Sequence, residues 1–187
     1  MFAKLGFKHA LVPNVDDMKK ILIRFGKTID GEFYGYTTYK VCDESAKQLL
    51  SFIPEEHRSG FEPCFIEINV PELPPHIDNK ILASINFYTD ADEAVTTFYT
   101  VKPGQAIEVE RLPNQTDGGI FVIEDLDEYA SFTAQAGDAY VLAIKQVHGV
   151  KGNKDKMRRA YCLKSYDYTY FQILSMIKNY GLEFPHG

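Results

Sequence analysis

From Pro63 onward the chain breaks into short runs rich in Ile, Val, Phe, Tyr and Thr, separated by clusters of Pro, Gly, Asn and Asp. β-branched and aromatic side chains suit a half-buried pleated surface, and the separators supply turns. The runs predict strands over 64–70, 81–89, 94–101, 106–111, 119–123, 131–134, 138–144 and 158–165. That number of strands suits a double-stranded β-helix, a cupin-like jelly roll in which two facing sheets control the exposed edges. Helices are expected on either side of it. Residues 16–25 carry Asp16 and Asp17 ahead of Lys19, Lys20 and Arg24, the order the helix dipole favours, and predict an N-terminal helix. A second helix is expected over 43–52, with Leu49 and Leu50 on its apolar face and Pro54 stopping it. Phe171, Ile173, Leu174, Met176 and Ile177 predict a C-terminal helix over 168–180, ended by Gly181.

A chain of 187 residues with 45% apolar side chains is about one domain's worth, long enough for a sizeable core. No linker or repeat divides it, so a single domain over 1–187 is expected, with the β-helix over about 63–166. A net charge of −6 argues against nucleic acid as a partner, since phosphate binding needs a basic surface that releases counterions. Cys42, Cys64 and Cys162 are odd in number and follow no apolar leader, so the expectation is a reduced, cytoplasmic protein. No apolar run approaches the ~18 residues of a membrane span.

Against this background a small constellation stands out: His76-Ile77-Asp78, then His148, then Arg158. Two imidazoles and one carboxylate form a ligand set that holds non-heme iron(II) on one face and leaves its other positions open. Residues two apart on an extended backbone point the same way, so His76 and Asp78 could serve one metal. By itself the pair fits a surface turn equally well, between Pro74-Pro75 and Asn79. His148 follows an apolar run, 139–144, suited to a strand buried on both faces. Its plain alternative is a core or loop histidine. Arg158 opens the strand-like run 158–165, expected to hairpin back beside the strand that precedes His148. No acid lies in that run, so a ligand carboxylate could pair with the guanidinium fork. Lys154, Lys156, Arg158 and Arg159 read equally as a solvated basic loop.

The order HxD, a strand ending Thr96-Thr97-Phe98, Gly137-Asp138 opening an apolar strand, His148, and Arg158-Arg159-Ala160 resembles the 2-oxoglutarate- and Fe(II)-dependent dioxygenases, particularly the prolyl-4-hydroxylase-like branch, over roughly 63–166. The resemblance implies His76, Asp78 and His148 as iron ligands and Arg158 as the anchor for the far carboxylate of 2-oxoglutarate. Arg158-Arg159-Ala160 meets the family's Arg-x-small pattern, which prefers Arg158 to Arg159, and the two side chains should face opposite ways. It further implies dioxygen as co-reactant and oxidative decarboxylation to succinate and carbon dioxide. The oxidised substrate would be a peptidyl prolyl or other side chain, or a small molecule. Asn86, in the strand expected to hold the cosubstrate, could donate to its carboxylate, or instead bond to a neighbouring strand. The chain departs from that branch at 92–98, where the usual glycines are missing. Specificity is assigned to loops such as 113–118 and to the N-terminal Phe33 to Tyr36 region. Two other readings stay open: a ligand-binding or interaction module that kept the barrel without the chemistry, and a cupin-type metalloenzyme that does not use 2-oxoglutarate. Oligomeric state is left undetermined.

Overall fold

A computed structural model of the protein describes residues 1–13, 18–29, 32–91, 93–104, 109–110, 118–152 and 157–179. Its strands run β1 (Phe2–Lys8), β2 (Lys19–Ile29), β3 (Glu32–Lys40), β4 (Phe61–Ile68), β5 (Glu72–Ile77), β6 (Ala83–Asp90) and β7 (Val95–Val101). They continue with β8 (Val109–Glu110), β9 (Gly119–Phe121), β10 (Leu126–Thr133), β11 (Asp138–Leu142), β12 (His148–Lys151) and β13 (Arg158–Ser165). Two helices accompany them, α1 (Asp43–Leu50) and α2 (Tyr170–Asn179). The strands form two antiparallel sheets, one in the order β1-β11-β6-β13-β4-β3-β2 and the other β10-β7-β12-β5-β9-β8. Consecutive strands pass between the sheets from β4 to β7 and from β10 to β13, which is the double-stranded β-helix expected from the strand texture.

Period-two alternation builds the layers. Along β13, Ala160 and Cys162 point between the sheets, where they meet Ile66, Ile68, Leu142 and Phe98. Tyr161 and Leu163 point the other way and pack with Leu49 of α1 and Ile173 and Ile177 of α2. Both faces of the central strands are therefore covered, which explains why β11 is buried at every position and reads as an unbroken apolar run. Inter-sheet packing is aromatic at one end, where Phe132 stacks on Tyr140 with ring centroids 4.1 Å apart.

Several expectations need correction. The N-terminal helix over 16–25 is not formed: Lys19–Ile29 is strand β2, paired with β3, while Asp16 and Asp17 lie outside the described residues. The Ile21-Leu22-Ile23 run supplies β propensity, and pairing overrides the helical charge pattern. The Phe33 to Tyr36 region, expected to bear on specificity, is part of β3. Nor does β13 hairpin beside β11 or β12; it lies between β4 and β6, because the connections on either side of β12 change sheets. The helices over 43–52 and 168–180 are present within a few residues of those bounds, and Gly181 falls outside the described residues, as do 113–117 of the expected specificity loop.

Candidate metal centre

The prolines before His76 do not form a surface turn. Pro74 and Pro75 sit inside β5, where they cost N–H donors, and β12 pairs with this stretch through a register shift between His148 and Val150. The consequence is that His76 lies directly opposite His148, their rings 4.4 Å apart. Asp78 follows the end of β5. Its N–H donates to the carbonyl of Ile144 and its own carbonyl accepts from Lys145 Nζ at 3.1 Å, so the turn after β11 holds the carboxylate against the two imidazoles. Gly149 permits this closeness: a Cβ there would stand 3.0 Å from the Leu73 carbonyl oxygen.

One ligand atom from each of His76, Asp78 and His148 lies within 4.8 Å of the others, close enough to share one ion. Both imidazoles are oriented by backbone. His76 Nδ1 lies 2.8 Å from the Pro74 carbonyl and His148 Nδ1 lies 2.9 Å from that of Gln146. A carbonyl accepts only, so Nδ1 carries the proton and Nε2 keeps its lone pair for a metal. His148 Nε2 stands 3.7 Å from Asp78 Oδ2, and Phe98 lies against the His148 ring at 5.7 Å. Burial, with the neighbouring His76 adding to it, pushes His148 down to about 4, so its ring is neutral at ordinary pH, the form that ligates. The donor set, its tautomers and its partial burial fit a divalent ion of the kind bound by nitrogen and carboxylate ligands.

The triad forms one wall of a cavity between the sheets. The facing wall comes from β6 and β13, whose inward residues Ser84, Asn86, Tyr88, Arg158, Cys162 and Lys164 line it. Arg158, 5% exposed, donates from Nη2 to Thr96 Oγ1 at 2.8 Å and lies over the Tyr88 ring, 4.6 Å from its centroid. Its Nη1 is buried and has no hydrogen-bond partner among the described residues. Arg159 faces away and donates to Glu67 at 2.9 Å, as the alternation of a strand requires. Asn86 reaches the cavity wall, after the chain between β5 and β6 turns through Lys80 at φ 65°. Its amide accepts from Ser84 Oγ at 3.0 Å and approaches the Tyr88 hydroxyl at 3.5 Å, which makes it a brace for Tyr88.

Tyr36, Ser84, Tyr88, Cys162 and Lys164 also line the cavity, and motif spacing did not single them out as site residues. The signal was present in β13, where Arg158, Ala160, Cys162 and Lys164 alternate, and in β6, where Ser84, Asn86 and Tyr88 do. It becomes usable only once the inner face is known.

No protein-family model matches the chain, and no curated protein matches it significantly in sequence. Solved structures do. Escherichia coli ycfD is 10% identical with a TM-score of 0.53, covering 96% of this chain and 53% of its own. Vicilin from Corylus avellana is 11% identical with a TM-score of 0.39, covering 70% of this chain and 28% of its own. The 7S globulin of Momordica charantia is 10% identical with a TM-score of 0.38, covering 71% and 30%. The chain thus spans about half or less of the length of these structures. At such identity the likeness to ycfD shows the fold alone. Among the described residues no helix is long and apolar enough to cross a membrane. Fold and geometry together describe a cupin-like jelly roll that brings His76, Asp78 and His148 into one group able to hold a metal ion.

Proposed function

We propose that the protein is an Fe(II)- and 2-oxoglutarate-dependent dioxygenase, with His76, Asp78 and His148 as the iron ligands and Arg158 as the anchor of the far carboxylate of 2-oxoglutarate. The observation that carries this reading is the buried guanidinium whose Nη1 lacks a partner, in the cavity that the three metal-ligand candidates share. Leaving such a donor unmet costs about 1–3 kcal/mol, and more for a charged group. A carboxylate would meet it with a charge-assisted bond of the kind arginine is shaped for. A metal site that takes no anionic cosubstrate offers no reason for that arginine.

When bound, iron(II) would supply activation of dioxygen coupled to decarboxylation of 2-oxoglutarate to succinate and carbon dioxide. The chain's own residues bind and orient. The Pro74 and Gln146 carbonyls hold the two imidazoles in their ligating tautomer. Thr96 and Tyr88 fix the Arg158 fork, and Asn86, beside Tyr88 on the same cavity wall, would donate to the cosubstrate. Leu73, Leu142, Ile144 and Val150 line the remaining wall and keep bulk water from the reacting face. A peptidyl side chain, prolyl first, or a small molecule would be the group oxidised.

The test is an anaerobic titration of the Fe(II)-loaded protein with 2-oxoglutarate, followed by its visible charge-transfer band and by iron-dependent succinate release. Both should occur in the natural protein and disappear in Asp78→Ala. Metal binding with neither signal would favour a cupin-type metalloenzyme that does not use 2-oxoglutarate, and absence of metal binding would favour a binding module.

A further inference from the structure

Lys164 is a cavity residue for which the dioxygenase reading above has no use. It shares the inner face of β13 with Arg158, six residues away, roughly 20 Å along an extended strand. The two cations therefore stand toward opposite ends of one cavity. Lys164 is opposite Ser84 of β6 in register, and Tyr36 of β3 lines the same part of the cavity. Burial pushes the Tyr36 phenol up, so that hydroxyl remains a donor. Asp78 also lines the cavity, and an ion shared with His76 and His148 would take up its negative charge. A lysine aimed into a cavity, in a chain of net charge −6, with its carboxylate neighbour committed to a metal, is built to receive an anion from outside.

We propose that Lys164, with the Tyr36 hydroxyl beside it, forms a second carboxylate subsite at the end of the cavity opposite Arg158. Its occupant is a carboxylate, carried either by the molecule that is oxidised or by the oxo-acid end of the cosubstrate. The subsite rests on the metal-site reading for its geometry, but its anion binding can be measured without turnover.

Calorimetric titrations of the Mn(II)-loaded protein separate the sources. The probes are 2-oxoglutarate and 2-oxobutyrate, which lacks the far carboxylate, and then acetate and N-acetylglycine added to protein saturated with 2-oxoglutarate. If the carboxylate comes from the cosubstrate, Lys164→Met weakens both oxo acids at least about tenfold, while Lys164→Arg retains most of the affinity. If it comes from the oxidised molecule, oxo-acid binding holds and the monocarboxylates lose theirs in Lys164→Met alone. Oxo-acid and monocarboxylate affinities that are unchanged in a folded Lys164→Met protein with intact Mn(II) affinity would overturn the subsite. Should the natural protein bind no oxo acid yet bind monocarboxylates through Lys164, the subsite stands and the dioxygenase reading fails.

Discussion

Arg158 and Arg159 are adjacent and chemically identical, and they have opposite fates. The pleat sends Arg158 into the cavity, where it lies on Tyr88 and Thr96, and sends Arg159 outward to Glu67. The inner one keeps a buried donor, Nη1, with no hydrogen-bond partner among the described residues. Replacing it with Met keeps the bulk over Tyr88 and removes the fork. Arg158→Met is expected to weaken 2-oxoglutarate binding about tenfold to a hundredfold with metal affinity unchanged, as read by anaerobic titration. Its stability should be unchanged or raised, because a buried charge without a full set of partners is removed. That Arg158 and Arg159 face opposite ways was legible in the sequence from strand alternation, while the choice of Arg158 rested on the Arg-x-small pattern of the resembled family. The orphaned Nη1 was not legible, since it depends on where Thr96 and Tyr88, from two other strands, end up.

At the level of elements, β1 pairs with β11 in the sheet, and two β1 lysines meet one β11 carboxylate. Asp138, with its side chain 1% exposed, takes Lys4 at 2.9 Å and Lys8 at 2.6 Å, and its other oxygen accepts from the Gln135 N–H at 2.9 Å. Burial pushes this carboxyl up, but the two ammonium groups and the backbone donor outweigh it and hold its pKa below the usual range. A depressed carboxyl pKa stabilises the fold above the unfolded-state value, ~3.9, and loses that contribution as pH falls through the folded value. Asp138→Asn should therefore cost about 1–3 kcal/mol at pH 7, measured by urea unfolding. The difference from the natural protein should close as pH drops below ~4. Both lysines are largely exposed, so most of the loss comes from Asp138's buried oxygens and little from the pairing itself. Element identity was legible where one force dominated: the amphipathic pattern of α1 and the apolar run of β11. It misled at Lys19–Ile29, where acids before bases mimic a helix. The Asp30-Gly31 pair, a favoured two-residue hairpin sequence, was the local signal for a strand on either side.

For the whole molecule, the metal-ligand candidates come from β5, the segment just after it and β12, and they meet only when the sheet is assembled. An ion bound there stabilises the folded state alone, by about 2.7 kcal/mol at a hundred times its dissociation constant. For a chain of this size that predicts a rise in melting temperature of roughly 5–10 °C with Mn(II), measured by thermal unfolding. Asp78→Ala should lose the rise while the metal-free melting temperature stays near that of the natural protein. The chain by itself determined the β texture, the HxD pair, His148 and the ten-residue step to Arg158, because these are properties of residue type and spacing. Tertiary structure decided that β12 lies beside β5, with His148 facing His76, and that β13 lies between β4 and β6. It also decided that Arg158 and Lys164 end in one cavity. Those are pairings between segments far apart in the chain, set by which apolar faces can be buried together, and no local pattern encodes them.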